Sequence, residues 1–309
     1  MLLFFLFCVT GFLLTLNLCV LVARRRRRFS PFNERTLRPP GHALSDQFYD
    51  LCLIFSLRVV GFAFCLAVFM LFITRTPLGQ NLVLVSLAGL LLSLFAYRLN
   101  NMFQRAQNVR LGYEGELYTG QELNYLMRER AFVFHDIPYH SGNIDHVVVG
   151  NNVIYAVETK AVRKPLKAGT AAAKEASMTY DADRLYFPHF KDSRALTQAR
   201  GHANYLAKDI KAKTGVSFKV VPVVAIPGWF IECGKPAATD ILVINPKRGK
   251  FLKNRLGEIT DKAARDRVVQ YFERCAPIDL SRNQITDPDG AKHFDWLLRR
   301  RRVRGVATG

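Results

Sequence analysis

In the stretch NIDHVVVGNNVIYAVETK, residues 143–160, two acids and a lysine interrupt what would otherwise be two apolar strands: Asp145 near the start of the first, Glu158 and Lys160 at the end of the second. If Asn151 and Asn152 are the turn residues, Gly150 pairs with Val153 and Asp145 falls directly opposite Glu158, with Cβ atoms ~5 Å apart on one face. If Gly150 and Asn151 turn instead, the register shifts by two and Asp145 lies diagonal to Glu158, still on that face. Asparagine suits either turn because it tolerates positive φ. Lys160, two residues beyond Glu158, emerges on the same side. Like charges opposed across strands repel, and a buried carboxylate without a partner is costly. A divalent cation removes the conflict, because Mg²⁺ binds one or two carboxylates together with waters and phosphate oxygens. The alternative is a plain ion cluster at a sheet edge.

The elements that must hold these groups follow from periodicity. Apolar runs at 132–137, 144–149, 153–159, 218–227 and 240–245 read as strands. A helix is expected from 114 to 130, with Glu116, Gly120, Leu123 and Met127 on one face, so that Glu116 points with the residues that pack. A second helix carries the stripe Leu196, Ala199, Ala203, Leu206 and Ile210, with Asp192 or Ser193 to cap it, Gly215 to stop it and Gln198 at its flank. Weaker helical patterns lie at 261–274 and 291–302. His146 faces away from Asp145 and reads as structural, and His135 and Asp136 have no stronger claim to chemistry.

The chain has 309 residues, and its apolar half is concentrated in the first hundred. The run 1–23 is long enough to cross a bilayer core of ~30 Å, and five arginines at 24–28 follow it. Charge after the apolar run argues for an uncleaved anchor with its N-terminus outside and the arginines in the cytoplasm. Two further apolar stretches within 51–98 are separated by the short RTPLGQN and read as a transmembrane hairpin. The expectation is therefore three transmembrane helices, a basic cytoplasmic loop at 24–50 and a multi-pass protein of the cell's inner membrane. The net charge of +19 suits nucleic acid or an anionic bilayer. Six cysteines without a C-x-x-C argue against a zinc ribbon or a disulfide framework.

Four motifs in order, G-x-x-G-E (112–116), N-I-D-H (143–146), E-T-K (158–160) and the helix residue Gln198, resemble the nuclease-related domain, NERD, a branch of the PD-(D/E)XK nuclease superfamily. The resemblance covers 108–226 and leaves 227–309 as an extension with a basic tail. It implies an α/β, restriction-endonuclease-like αβββαβ core. It also implies Mg²⁺ or Mn²⁺ held by Asp145, Glu158, the Thr159 carbonyl and Glu116, Lys160 steadying the attacking water, and Gln198 orienting it. On that basis the expected function is a membrane-anchored, metal-dependent nuclease acting on DNA or RNA in the cytoplasm. The alternatives are a catalytically silent module that binds nucleic acid or assembles partners at the membrane, and a lipid-headgroup sensor working through the arginine runs.

Overall fold

The alternating residues of three consecutive strands sort cleanly between two helical layers, and this sorting fixes the register of the central sheet. The computed structural model describes Gly11, residues 14–15 and 17–18, and the segments 36–73, 82–139, 142–164, 177–235 and 238–278. In chain order a two-residue strand β1 (Thr36–Leu37) precedes helices α1 (His42–Ile73) and α2 (Leu82–Asn124), a 3-10 turn (Tyr125–Glu129), and strands β2 (Phe132–Tyr139), β3 (Gly142–Val149) and β4 (Val153–Thr159). Short strands β5 (Ser177–Tyr180), β6 (Leu185–Tyr186) and β7 (Lys191–Asp192) lead into α3 (Arg194–Thr214) and β8 (Lys219–Ala225). The last described elements are β9 (Phe230–Cys233), β10 (Leu242–Ile244), α4 (Lys250–Lys253), α5 (Lys262–Cys275) and β11 (Pro277–Ile278).

The central sheet has the order β10-β8-β4-β3-β2. Its β2–β3–β4 meander is antiparallel, and β8 and β10 add in parallel. Val147, Val149, Ile154 and Ala156 face one way, onto Ala203, Leu206 and Ile210 of α3 and Val268, Val269 and Phe272 of α5. Val148, Val153, Tyr155 and Val157 face the other way, onto Leu123 and Leu126. The fold is thus mixed α/β, with helices on both faces of the sheet. A second sheet, β7-β6-β5-β9, packs beside the start of α3 around Leu185, Phe187 and Trp229. Its strands are too short for alternation to announce them; the Asp181 side chain, accepting from the amides of Asp183 and Arg184, makes the turn.

Two expectations about helices change. The helix expected from 114 to 130 is the last part of α2, which runs unbroken for 43 residues from the apolar stretch into the domain. It ends at Asn124 in a 3-10 turn, which advances ~120° per residue and so buries Leu126 while leaving Met127 exposed. The second change concerns the membrane: among the described residues one helix, His42–Leu71, is long and apolar enough to cross a bilayer, and three are not found. The span expected at 1–23 lies almost wholly outside the described residues. The third, beginning at Leu82, reaches its first arginine at Arg98; at about 1.5 Å per residue the 16 residues before that arginine extend about 24 Å, short of a ~30 Å core.

α1 and α2 pair antiparallel, as Phe55 against Phe103 and Phe62 stacked on Phe95 show. Only 11% of the apolar window of α1 is buried, so this is not the core helix of a globular domain. The segment before α1 is tied to the domain. Thr36 and Leu37 pair with Ile278 and Pro277, and Arg38 donates from its amide to the Ala276 carbonyl. The residues after 227, whose place the sequence left open, supply β10 to the central sheet and α5 to its core; the helical pattern at 291–302 lies outside the described residues.

Candidate active site

The first of the two turn alternatives is present. Gly150 donates to the Val153 carbonyl at 2.8 Å, and the ladder runs Val149↔Ile154 to His146↔Val157, which sets Asp145 opposite Glu158. The asparagines do not achieve this through positive φ, which neither adopts. Asn151 is instead held by tertiary contacts. Its amide donates to the Leu256 carbonyl, its side chain donates to the Gly257 carbonyl, and its Oδ1 accepts from Arg265.

At the end of the ladder Asp145 Oδ2 accepts from the Thr159 amide at 2.7 Å, a bond that holds the carboxyl against the tip of β4. Glu158 lies on the α3 side of the sheet, where Gln198 hydrogen-bonds to it and His202 Nδ1 approaches its Oε2 to 3.3 Å. Glu116 arrives from α2, and glycines let that helix come close enough. A Cβ on Gly115 would sit 2.5 Å from the Ala161 Cβ, and one on Gly120 would sit 2.6 Å from the Pro40 Cβ. Glu116, Asp145, Glu158, Thr159, Gln198 and His202 all line one cleft of about 450 Å³, with Leu44 of α1 and Gly112 on its wall.

Lys160 is near Glu158 but does not line this cleft; its Nζ is 2.6 Å from Asp192 Oδ2. Asp192 also accepts from the Arg194 amide at the start of α3, so one carboxylate fixes both the lysine and the helix that carries Gln198. Asp136 is the acid the sequence reading set aside. It takes a left-handed φ of 52°, which aspartate adopts more readily than most residues, and it interrupts the β2–β3 ladder opposite Asp145. Fully buried, it accepts from Arg38 at 3.1 Å and from Asn143. On the other face His135 and His146 form a buried pair, Nδ1 to Nδ1 at 2.9 Å, in keeping with a structural His146.

Electrostatics sharpen the picture. Burial, then the charges of Asp145, Asp136 and Glu158, push Glu116 up to about 10. Burial and Glu158 raise Asp145 well above the usual carboxylate range, against the Thr159 amide that lowers it. Burial lifts Glu158 to about 8, moderated by Lys160 and Gln198, and it lowers His202 to about 4. Without a cation Glu116 and Glu158 therefore hold protons near neutral pH. Among the described residues no three His, Cys, Asp or Glu side chains are grouped to hold a metal ion on their own. The donor chemistry nevertheless fits a hard divalent ion, for which two carboxylates and water suffice: Oε2 of Glu116 and Oε2 of Glu158 are buried with no hydrogen-bond partner.

The sequence reading therefore missed Asp136, Asp192, Arg38 and His202 as neighbours of the site. Two were within reach: continuing the hairpin register into β2 sets Asp136 opposite Asp145, and His202 follows Gln198 by four residues on one helix face. Arg38 leaves no local signal, and Asp192 is legible only as a cap for α3, not as a partner of Lys160. No curated protein and no solved structure gives a significant match to the chain. Residues 111–227, the stretch that holds Glu116, Asp145, Glu158, Lys160 and Gln198, match the family model of NERD, the nuclease-related domain.

Proposed function

We propose that the protein is a membrane-anchored, divalent-metal-dependent nuclease with a restriction-endonuclease-like core. The observation that carries this reading is the convergence of Glu116, Asp145 and Glu158 on one cleft, two of them with buried, unpartnered oxygens. The order helix, three antiparallel strands, helix, parallel strand supports the core, and the NERD match supports the nuclease class. Asp145 and Glu158, with Glu116 and the Thr159 carbonyl at hand, would hold Mg²⁺ or Mn²⁺. Such an ion, when bound, polarises a phosphate and lowers the pKa of a coordinated water. Lys160, steadied by Asp192, provides fixed positive charge beside Glu158, where charge develops on a phosphate under attack. Gln198 holds the Glu158 carboxyl through its hydrogen bond, and the overall positive charge favours a polyanionic substrate.

Anchoring rests on α1 and on the apolar start of α2, whose leucines are widely exposed. Arg98, Arg105 and Arg110 after that stretch favour a cytoplasmic domain. Full-length protein in detergent or nanodiscs should cleave DNA or RNA with Mg²⁺ or Mn²⁺ and stop when chelator is added. Glu158→Gln should reduce cleavage at least ~100-fold, as loss of a group essential to positioning and charge does. An inert wild type on both nucleic acids with both metals would sink the enzymatic reading.

The second reading, a silent module that binds nucleic acid at the membrane, is favoured by the Lys160–Asp192 pair, which engages the lysine, and by the absence of a ready three-residue metal group among the described residues. It requires salt-sensitive binding that survives Glu158→Gln.

A further inference from the structure

His202 belongs to no motif that defined the site, yet it presents an unused nitrogen to it. Its side chain is 7% exposed, Nδ1 lies 3.3 Å from Glu158 Oε2, and neither of these two buried atoms has a hydrogen-bond partner. The separation is that of an ion pair, yet the two atoms do not meet in hydrogen-bond geometry. Two acceptors in contact repel unless a proton or a cation stands between them. Two ligand atoms each about 2.1 Å from one ion, at 90–109° to one another, are about 3.0–3.4 Å apart, which is the separation found here. The imidazole is held in place by its helix, one turn beyond Gln198, and by the Tyr139 ring, edge-on at 5.2 Å.

Resting on the metal-dependent reading above, we propose that His202 supplies a nitrogen ligand to the cation held by Glu158, and so favours Mn²⁺ and similar borderline ions over Mg²⁺. A site of oxygens alone suits Mg²⁺; an imidazole moves preference along the transition series. Glu158 and His202 come from a strand and a helix that pack on each other through Ala156, Ala203 and Leu206, so the pair is set by the core rather than by a loop.

Full-length protein in detergent, loaded with Mn²⁺ alone, tests this by pulsed electron paramagnetic resonance. One directly coordinated nitrogen should modulate the echo in the wild type, change character when histidine is ¹⁵N-labelled, and vanish in His202→Asn. By calorimetry His202→Asn should weaken Mn²⁺ about 10-fold or more while altering Mg²⁺ less than about 2-fold. Mn²⁺ binding that Glu158→Gln abolishes but that shows no nitrogen modulation overturns the role of His202 and leaves the metal site standing. Modulation that persists in His202→Asn assigns the nitrogen elsewhere and overturns it too. If Mn²⁺ does not bind at all, both this inference and the metal-dependent reading fall. Should His202→Asn fail to fold, His202→Gln takes its place in both measurements.

Discussion

Glu116 and Glu158 share one thermodynamic signature: folding raises their affinity for protons, to about 10 and about 8 from an ordinary 4.5. Between those values the folded state binds more protons than the unfolded chain, so stability falls as pH rises. Below about pH 7 the buried His135 and His202, both lowered to about 4, oppose this slope, so the melting temperature of metal-free protein should decline from about pH 7 to about pH 9, and Glu116→Gln should flatten the alkaline part. A melt that rises over this window would remove the buried-carboxyl account. Arg38 and Asp136 give a second test at this scale. Asp136 is fully buried and Arg38 is its cationic partner, so Arg38→Ala strands a carboxylate beside the carboxyls of Glu116 and Asp145. The cost should be about 2–3 kcal/mol, below that of a wholly buried pair because Arg38 is partly exposed; denaturant titration of the variant against wild type measures it. Asp136 also marks the limit of strand reading. An acid in FVFHDIPY looks incidental until its left-handed φ and its place opposite Asp145 are known.

Among the elements, α2 carries the most consequence, because one helix both leaves the apolar hairpin and delivers Glu116. Its approach depends on Gly115, where any side chain meets Ala161 at the end of β4. Gly115→Leu should push the helix away from the sheet by roughly 1 Å or more, and misplacement on that scale costs about 100-fold in rate. Cleavage assays together with Mn²⁺ titration check this; unchanged values for both would mean that Glu116 plays no part. The apolar stretch ending near 98 and the helix expected from 114 looked separate in the sequence because hydropathy changes sharply after Tyr97. Backbone geometry is indifferent to that change, and the helix continues. The opposite holds for α3, whose stripe, stop at Gly215 and neighbouring Asp192 were all legible, since an amphipathic helix declares itself within its own residues.

At the scale of the molecule, the stretch that matches NERD does not contain its own support. β10 completes the central sheet, α5 buries Val268, Val269 and Phe272 against it, and residues 36–41 hold α2 through Pro40 and β2 through Arg38. A fragment limited to 111–227 should therefore be insoluble or unfolded, whereas 36–278 in detergent should melt cooperatively; circular dichroism of the two fragments distinguishes them. Glu116 follows Tyr97, the last residue before Arg98, by 19 positions on one helix, about 28 Å at 1.5 Å per residue. Leu44 of α1 lines the wall of the same cleft, so both helices of the pair reach the site.

Contiguous residues determined the strands of the central sheet and put Asp145 and Glu158 on one face in either of two registers, because the pleat period is a property of neighbours in the chain; the register itself was chosen where Asn151 met Leu256, Gly257 and Arg265. Tertiary structure alone decided what surrounds those two acids. Arg38 reaches Asp136 across 98 positions, Lys160 turns to Asp192, and His202 meets Glu158 where α3 crosses the sheet. No local period encodes such pairings; they follow from which faces pack and how closely, and the packing fixes them only once the helices lie against the sheet.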